Sequence, residues 1–274
     1  MVFWQNLLRI LDTGMEEPLP YGWFHLLSCA LCIVATVLLC MFLRKGDFNR
    51  QRKVVLITSI VVIILEVYKQ INFSFTYTDG VAFDYQWYSF PWQFCSTPMY
   101  VGLLAGLTKK GKFHDCLCAY LATFAVFAGV AVMLYPTTVF VEAIGINIQT
   151  MVCHGSMITL GVYLYASGHV KLEHKTVLKA IPVFAVMVSA AVIMNEIAHA
   201  SGLLERETFN MFFVSPYCEP SLPVYSTVQG LVPFPWCLVL YIAGFTAAAY
   251  IILLVAMGIG KLSKRIQNKK AIVS

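Results

Sequence analysis

Long uninterrupted runs of apolar residues, separated by short polar connections, dominate this chain of 274 residues. The runs show neither the alternation of a half-buried strand nor a polar helix face, so we interpret them as helices surrounded by lipid. A hydrocarbon layer of about 30 Å requires roughly 20 such residues per helix. The pattern predicts an all-α polytopic membrane bundle of about seven transmembrane helices, at residues 21–43, 54–75, 92–108, 116–135, 149–168, 177–200 and 234–260.

Composition supports a membrane protein and excludes a water-soluble globular one. The chain is 59% hydrophobic and 12% charged, with a mean hydropathy of +0.74. We expect one membrane domain at 21–260, an interfacial lead-in at 1–20 and a basic tail at 261–274. The lead-in lacks the basic start and small-residue cleavage site of a signal peptide. The long connection at 201–233 is expected to lie outside and to form a lid or cap.

Basic residues accumulate in alternate connections. Of the 19 Lys and Arg residues, 16 lie between the first and second, third and fourth, or fifth and sixth segments, or in the tail; the opposite side carries two, against nine acids. The positive-inside rule therefore predicts an N-terminus outside and a C-terminus in the cytoplasm. The net charge of +5 is a topology signal. It gives no case for a nucleic-acid partner, because no basic face with interleaved aromatic residues exists.

Polar side chains inside the predicted spans gather at one membrane depth, in the outer half. An ionisable group within a span costs about 2.5–3.5 kcal/mol on insertion scales and usually faces a bundle interior or a wet cavity. The sequence therefore predicts a shared outer pocket. Its members, on four segments, are Glu66, Lys69, Asn72, Cys95, Gln149, His154, Asn195, Glu196 and His199.

Purely structural roles are the alternative for several of these residues. Glu66 and Lys69, three positions apart, can form an internal ion pair. Asn195 and His199, four positions apart, can form an interhelical hydrogen-bond clamp.

Cys95 is the strongest candidate for chemistry. With Pro91 in the first turn of a helix, Cys95 would lie about one turn in, where the helix dipole favours a thiolate. His154 begins another segment on the same side and can act as its general base. A packed apolar cysteine and a hydrogen-bonded histidine are the structural alternative. Cys153 is a rival nucleophile, although adjacent helical residues point about 100° apart.

The remaining cysteines indicate neither a disulfide scaffold nor a metal site. Their total of nine is odd. The Cys29-x-x-Cys32 pair lacks the second half that a zinc site requires. We therefore expect no metal and no diffusible cofactor.

A series of short motifs resembles the YwaF-type integral membrane proteins over most of the chain. These relate to the vertebrate transmembrane protein 164, a lysophospholipid acyltransferase that depends on a cysteine and a histidine, and more remotely to the androgen-induced membrane hydrolases. The motifs are Pro91 to Cys95, Cys153-His154-Gly155, Asn195, Asn210-Met211-Phe212-Phe213 and Pro233-Phe234-Pro235-Trp236. The sequence departs from the family at Met211 and at Trp92-Gln93-Phe94, which bears on the substrate more than on the chemistry.

The resemblance implies an acyltransferase with phospholipid and lysophospholipid substrates. Cys95 would carry the acyl group as a thioester, and His154 would act as base and acid, with a lysolipid or water as acceptor. The resemblance further implies that the remaining pocket residues bind the substrate, with Lys69 placed to meet a phosphate, and that the protein lies in a bacterial-type plasma membrane. The predicted topology puts the site toward the extracytoplasmic side.

A binding or transport protein is the alternative from another class. Seven spans around an outward-facing polar pocket would suit a small ligand or ion. Such a protein would use Glu66, Lys69, Glu196 and His199 without thiol chemistry.

Overall fold

The computed structural model describes residues 2–76, 80–202, 209–218 and 223–273, and this part of the chain is almost entirely helical. Of the predicted outer loop at 201–233, residues 203–208 and 219–222 lie outside the described residues. The helices are α1 (Val2–Leu11), α2 (Trp23–Leu43), α3 (Phe48–Asn72), α4 (Thr97–Leu107), α5 (Lys112–Ala122), α6 (Phe124–Leu134), α7 (Ile144–Ala166), α8 (Lys175–Ser201), α9 (Pro223–Leu231) and α10 (Phe234–Val273).

Two short strands and two 3₁₀ turns complete the described structure. The strands β1 (Phe75–Thr76) and β2 (Ala82–Phe83) pair antiparallel beyond the end of α3, with Phe75 opposite Phe83. The 3₁₀ turns are Trp87–Ser89, which leads toward α4, and Met211–Phe213, which lies between α8 and α9.

Five helical stretches are long and apolar enough to cross a membrane: Trp23–Leu43, Phe48–Asn72, Lys112–Leu134, Lys175–Ser201 and Phe234–Ser263. They confirm the all-α membrane architecture. The other two predicted spans differ in kind. With 11 residues, α4 is about 16 Å long, roughly half of the hydrocarbon layer. With 23 residues, α7 is long enough to span, but its polar side chains lower its hydropathy. The count of seven and the orientation of the termini stay predictions.

The fourth predicted span, 116–135, is divided into α5 and α6. At the junction, Thr123 has φ −125° and ψ −77°, outside helical values, and its hydroxyl donates to the Ala119 carbonyl at 2.7 Å. Thr123 is fully buried. Because neither proline nor glycine marks this position, the break in the helix could not be predicted from the residue pattern.

Helix α7 lies at the centre of the bundle. It packs against α2, α3, α5 and α6, while α4 packs against α3 and α5. Helices α8 and α10 close the other side, through contacts with α5 and α6. An aromatic cluster lies between these groups, where Phe94 contacts Phe127, Phe184, Phe212 and Phe245 at ring-centroid distances of 5.0–6.3 Å.

Three basic connections meet at one end of the bundle, which we term the basic end: residues 44–47, 108–111 and 167–174. Gln51 at the start of α3 donates to the Ser167 carbonyl at 3.1 Å. Arg52 donates to the Thr108 carbonyl at 3.3 Å. The predicted pocket residues lie toward the opposite end, where α3 and α8 end and α4 and α7 begin.

The segment before α2 is docked onto that opposite end. Gly14 forms a β-bridge with Ala143, and the Leu11 carbonyl accepts hydrogen bonds from Tyr68 at 2.6 Å and from Asn72 at 3.5 Å. Asn72 also donates to Asp12 at 3.1 Å. The amide of Asn72 is therefore occupied by the lead-in, and this contact gives it a structural role.

Close helix packing yields a stability prediction. A Cβ on Gly106 in α4 would lie 2.6 Å from the Leu56 Cβ and 2.7 Å from its Cα in α3, whereas nothing lies within 4 Å of a Cβ on Gly244 in α10. Because the α3 backbone must move, we expect Gly106→Ala to lower the free energy of unfolding by about 1–3 kcal/mol. Gly244→Ala should be neutral or stabilising by up to about 1 kcal/mol, from helix propensity. Thermal unfolding of both purified variants checks this; equal midpoints would contradict the packing.

Candidate functional site

Cys95 lies in a non-helical loop, residues 90–96, that precedes α4. Trp92 N–H donates to the Phe90 carbonyl at 2.7 Å, and the Gln93 carbonyl accepts from Ser96 N–H at 2.9 Å and Thr97 N–H at 3.1 Å. The Cys95 side chain is half-buried. Non-helical backbone at membrane depth is tolerated where protein surrounds it, and such a break often lines a site.

The structure corrects the expected position of Cys95 relative to the helix. Helix α4 begins at Thr97, with Pro98 in its first turn, so the helix-starting proline is Pro98 and not Pro91. The Ser96 and Thr97 N–H groups donate to the Gln93 carbonyl and close a single turn, and Pro98 has no N–H with which to join that turn to α4. Cys95 thus lies two residues before the helix, still beside the positive end of its dipole.

His154 faces the bundle interior with its hydrogen bonding half satisfied. Its Nδ1 lies 2.7 Å from the Thr150 carbonyl, which can only accept, so Nδ1 carries the proton. Its Nε2 is buried and has no hydrogen-bond partner among the described residues. The neutral ring therefore presents an unshared lone pair on Nε2, which is the state that a general base needs.

Cys153 brings α7 against the Cys95 loop. Its Sγ lies 3.8 Å from the Cys95 carbonyl, so the residue before His154 touches the residue proposed as nucleophile. Cys153 itself is 5% exposed, and it lines an apolar cavity whose wall includes Val62, Met99 and Leu160. The two cysteines thus differ in access, because the Cys95 side chain is more exposed.

A buried carboxylate organises the polar groups around this contact. Glu66 in α3 is 4% exposed, and its Oε1 accepts from Lys69 Nζ and from Gln70 Nε2, both at 2.8 Å. Its Oε2 accepts from Gln149 Nε2 of α7 at 3.0 Å. Each carboxylate oxygen is satisfied, as a buried charge requires. The network ties α3 to α7 one turn before His154.

The same network reaches the segment that leads into the Cys95 loop. Gln70 also donates to the Ser89 carbonyl at 2.9 Å and accepts from Tyr85 OH at 2.5 Å. Glu66 and Gln70 therefore join Gln149, in the turn of α7 before His154, to the segment before the Cys95 loop. Sequence reasoning missed Gln70, although its position four residues after Glu66 puts it on the same helical face. It missed Tyr85 because that residue lies in a connection between predicted spans.

A second polar group holds residues 209–215, which we term the plug, inside the bundle. Asn195 Oδ1 accepts from Met211 N–H at 2.8 Å, and its Nδ2 donates to the Met211 carbonyl at 3.1 Å. Gln93, in the Cys95 loop, donates to the Asn210 carbonyl at 3.0 Å and accepts from Phe212 N–H at 3.0 Å. Two amide side chains thus replace secondary structure for the plug backbone.

Backbone strain accompanies this arrangement. Phe212 and Phe213 have φ of 58° and 57°, in the left-handed region that bulky residues rarely adopt. Phe212 is fully buried, its carbonyl accepts from Tyr241 OH at 2.9 Å, and its ring lies 5.8 Å from that of Phe94, the neighbour of Cys95. Such strain persists only where the surrounding contacts enforce it, and it concentrates at functional sites.

Glu196 and His199 lie apart from this cluster. Glu196 accepts from Tyr217 OH at 2.8 Å, and the exposed His199 ring stacks on the Tyr217 ring. In the described part of the chain neither makes a hydrogen bond, ion pair or ring contact with Cys95 or His154. The Asn195–His199 clamp is not formed either, since Asn195 binds Met211.

Three polar side chains next to Cys95 can in principle donate to an oxyanion: those of Gln93, Ser96 and Thr97. Gln93 is engaged with the plug, and the Thr97 hydroxyl pairs with Tyr120 OH at 2.9 Å. Ser96, which is buried beside Cys95, is the remaining candidate of the three.

Residues 20–257 match the sequence pattern of the TMEM164 family. The chain belongs to the TMEM164 family. The match includes Cys95, His154 and the plug, and it agrees with the resemblance noted from the motifs. Searches of curated proteins and of solved structures each found no match. Family membership and a membrane-embedded cluster of cysteine, histidine and polar groups are consistent with a membrane enzyme.

The Asn195 contact generates a prediction. Asn195→Ala leaves the N–H of the fully buried Met211 unpaired, at a cost of about 1–3 kcal/mol. The Met211 carbonyl loses one of two donors, because Val214 N–H still donates to it at 3.5 Å. We expect a lower unfolding temperature and faster amide exchange across 209–215. Glu196→Ala is the matched control, because its hydrogen bond is exposed. Unchanged exchange in Asn195→Ala would show that other contacts hold the plug.

Proposed function

We propose that this protein is a cysteine-dependent phospholipid acyltransferase in which Cys95 is the nucleophile and His154 the general base and acid. The observation that supports it best is the state of His154. Its tautomer is fixed by Thr150, and its free Nε2 is buried on α7 directly after the residue that touches the Cys95 backbone. A buried imidazole nitrogen without a hydrogen-bond partner destabilises the folded protein, so such an atom calls for a functional explanation.

The first half-reaction forms an acyl thioester. His154 Nε2 takes the Cys95 thiol proton, and the sulfur attacks the acyl carbonyl of a membrane phospholipid. The C–S bond forms as the ester C–O bond breaks, and the leaving lysolipid oxygen takes the proton back from His154. Ser96 is the proposed donor to the oxyanion, together with the positive end of the α4 dipole.

The second half-reaction returns the enzyme to its resting state. His154 removes the proton from the hydroxyl of an acceptor lysophospholipid, and this oxygen attacks the thioester. A new ester bond forms, the C–S bond breaks and Cys95 is reprotonated. Water in place of the lysolipid would give hydrolysis. No metal or diffusible cofactor enters either half-reaction.

The polar network has a supporting role in this scheme. Glu66 holds Gln149 and therefore the turn of α7 that precedes His154, while Lys69 supplies a cation near the reacting groups for the substrate phosphate. Asn195 and Gln93 hold the plug over the Cys95 loop. The contacts of Asn72, Glu196 and His199 do not include the reacting residues, so we assign them no part in the chemistry.

Cys153, the rival nucleophile, provides the matched control for Cys95. In nanodiscs containing a phospholipid with a labelled acyl chain and an unlabelled lysophospholipid acceptor, Cys95→Ala should abolish transfer of label. His154→Ala should reduce the rate by about 10²–10⁴-fold, the usual contribution of a general base. Cys153→Ala should retain most of the activity, because Cys153 faces an apolar cavity.

Two other outcomes would contradict the assignments of Cys95 and His154. Activity that persists in Cys95→Ala and is lost in Cys153→Ala would assign the chemistry to Cys153. Full activity in His154→Ala, in protein with an unchanged unfolding temperature, would contradict the proposed base.

A further inference from the structure

A second group of side chains, two histidines and a cysteine that can ligate a metal, lies at the basic end, away from the proposed catalytic residues. His114 and Cys118 lie one turn apart in α5, and His169 follows α7 in the connection 167–174. His114 and Cys118 are each 1% exposed and His169 is half-buried. Within the described residues the three potential ligand atoms lie within 4.8 Å of one another.

The hydrogen bonds of His169 fix its tautomer. Its Nδ1 lies 2.6 Å from Gln51 Oε1. The amide nitrogen of Gln51 donates to the Ser167 carbonyl at 3.1 Å and to the Gly46 carbonyl at 3.4 Å, so its oxygen must face His169. An amide oxygen only accepts, and His169 Nδ1 therefore carries the proton. Its Nε2 is left with a lone pair.

The same reasoning applies to His114. Its Nδ1 lies 3.2 Å from Thr108 Oγ1, and the single proton of that hydroxyl is directed to the Ala105 carbonyl at 3.2 Å. His114 Nδ1 is consequently the donor, and its Nε2 also presents a lone pair. Each ring thus has the outer hydrogen bond that orients a metal-ligating histidine.

The two lone pairs face each other. The Nε2 atoms of His114 and His169 are 2.6 Å apart, and Cys118 Sγ lies 3.3 Å from His114 Nε2. Two acceptors at this distance repel each other unless a cation lies between them. A proton can do this for the two rings, but it gives no role to the sulfur, whereas a metal ion uses all three atoms.

We propose that His114, Cys118 and His169 bind one Zn²⁺ ion. Two imidazole nitrogens and a thiolate are the donors that zinc prefers, at about 2.0–2.1 Å and 2.3 Å. Harder ions such as Mg²⁺ and Ca²⁺ prefer oxygen. Deprotonation of Cys118 supplies the negative charge, and Asp115 lies in the wall of the adjoining cavity.

The geometry admits the ion after a small movement. Two ligands of a tetrahedral zinc are about 3.4 Å apart, so the facing rings must separate by somewhat less than 1 Å. His169 can provide this movement, since it lies in a connection directly after Gly168, at φ 73°, and not in a helix. A cavity of about 460 Å³ adjoins both histidines, so a solvent molecule can supply the fourth ligand.

The chain supplies matched controls for a binding test. Cys116 is in the same helix as Cys118, and the exposed His174 is in the same connection as His169 but bonded to Tyr250. The full-length protein in nanodiscs is stripped with a chelator, equilibrated with buffered Zn²⁺ and assayed for bound metal. We expect one Zn²⁺ per chain in the wild type, Cys116→Ser and His174→Ala. Cys118→Ser and His169→Ala should bind at least about tenfold more weakly, since loss of an outer partner alone costs 10–100-fold.

A spectroscopic measurement on the wild type needs no variant to fold. With Co²⁺ in place of Zn²⁺, we expect a sulfur-to-cobalt charge-transfer absorption, and X-ray absorption of the Zn²⁺ form should show one sulfur and two nitrogen ligands. Absence of stoichiometric metal, a metal without a sulfur ligand, or undiminished binding in Cys118→Ser and His169→Ala would each overturn the proposal. Neither measurement depends on acyl transfer, so its result is independent of the proposed function.

Discussion

Backbone that leaves helical geometry inside a membrane must find its hydrogen bonds within the protein, and the candidate site of this chain depends on that constraint. The Cys95 loop and the plug are two such segments. Each would be unstable alone. They are joined because Gln93 of the loop binds the plug backbone at Asn210 and Phe212, while Asn195 of α8 holds Met211 from the other side. A short α4 is the consequence, since the residues that would lengthen it form the loop.

The buried charge of Glu66 is likewise satisfied by partners within the protein. Glu66 would be costly in the interior without partners, and it receives three donors from two helices. Gln70 extends the network to Ser89, in the segment that leads to the Cys95 loop. The positions of Cys95 and of the α7 turn that carries His154 are thus linked through one carboxylate. In contrast, His154 Nε2 has no partner among the described residues, and this contrast supports its assignment to chemistry.

Apolar run length predicted the all-α membrane architecture, because the hydrophobic thickness of a bilayer sets a minimum length for each helix that spans it. It could not predict the break at Thr123, where no proline or glycine signals a change of geometry. It also misplaced the start of α4, because Pro91 and Pro98 are both acceptable helix-starting residues. The turn closed at Gln93 does not continue into α4, since Pro98 has no N–H to extend it.

Membrane depth alone was a weaker guide to the members of the site than the side-chain contacts in the structure. It grouped Glu66, Lys69 and Gln149, which share one network of polar contacts, but it also included Asn72 and Glu196, whose partners are Asp12 and Tyr217. Helical side chains at one depth point in different directions. Which of them contact one another depends on the distant segments that pack against each helix. For the same reason the cluster at the basic end was not foreseen, since His114 and His169 are 55 residues apart and meet only in the folded bundle.

The identity of the sulfur that carries the acyl group is the most direct test of the central claim. The wild-type protein is incubated with phospholipid in the absence of an acceptor, quenched in acid and digested, and its peptides are analysed by mass spectrometry. The account predicts one fatty acyl group, labile to hydroxylamine, on the peptide that contains Cys95. An acyl group on Cys153, or none on any cysteine while lipid acyl chains are still exchanged, would contradict it.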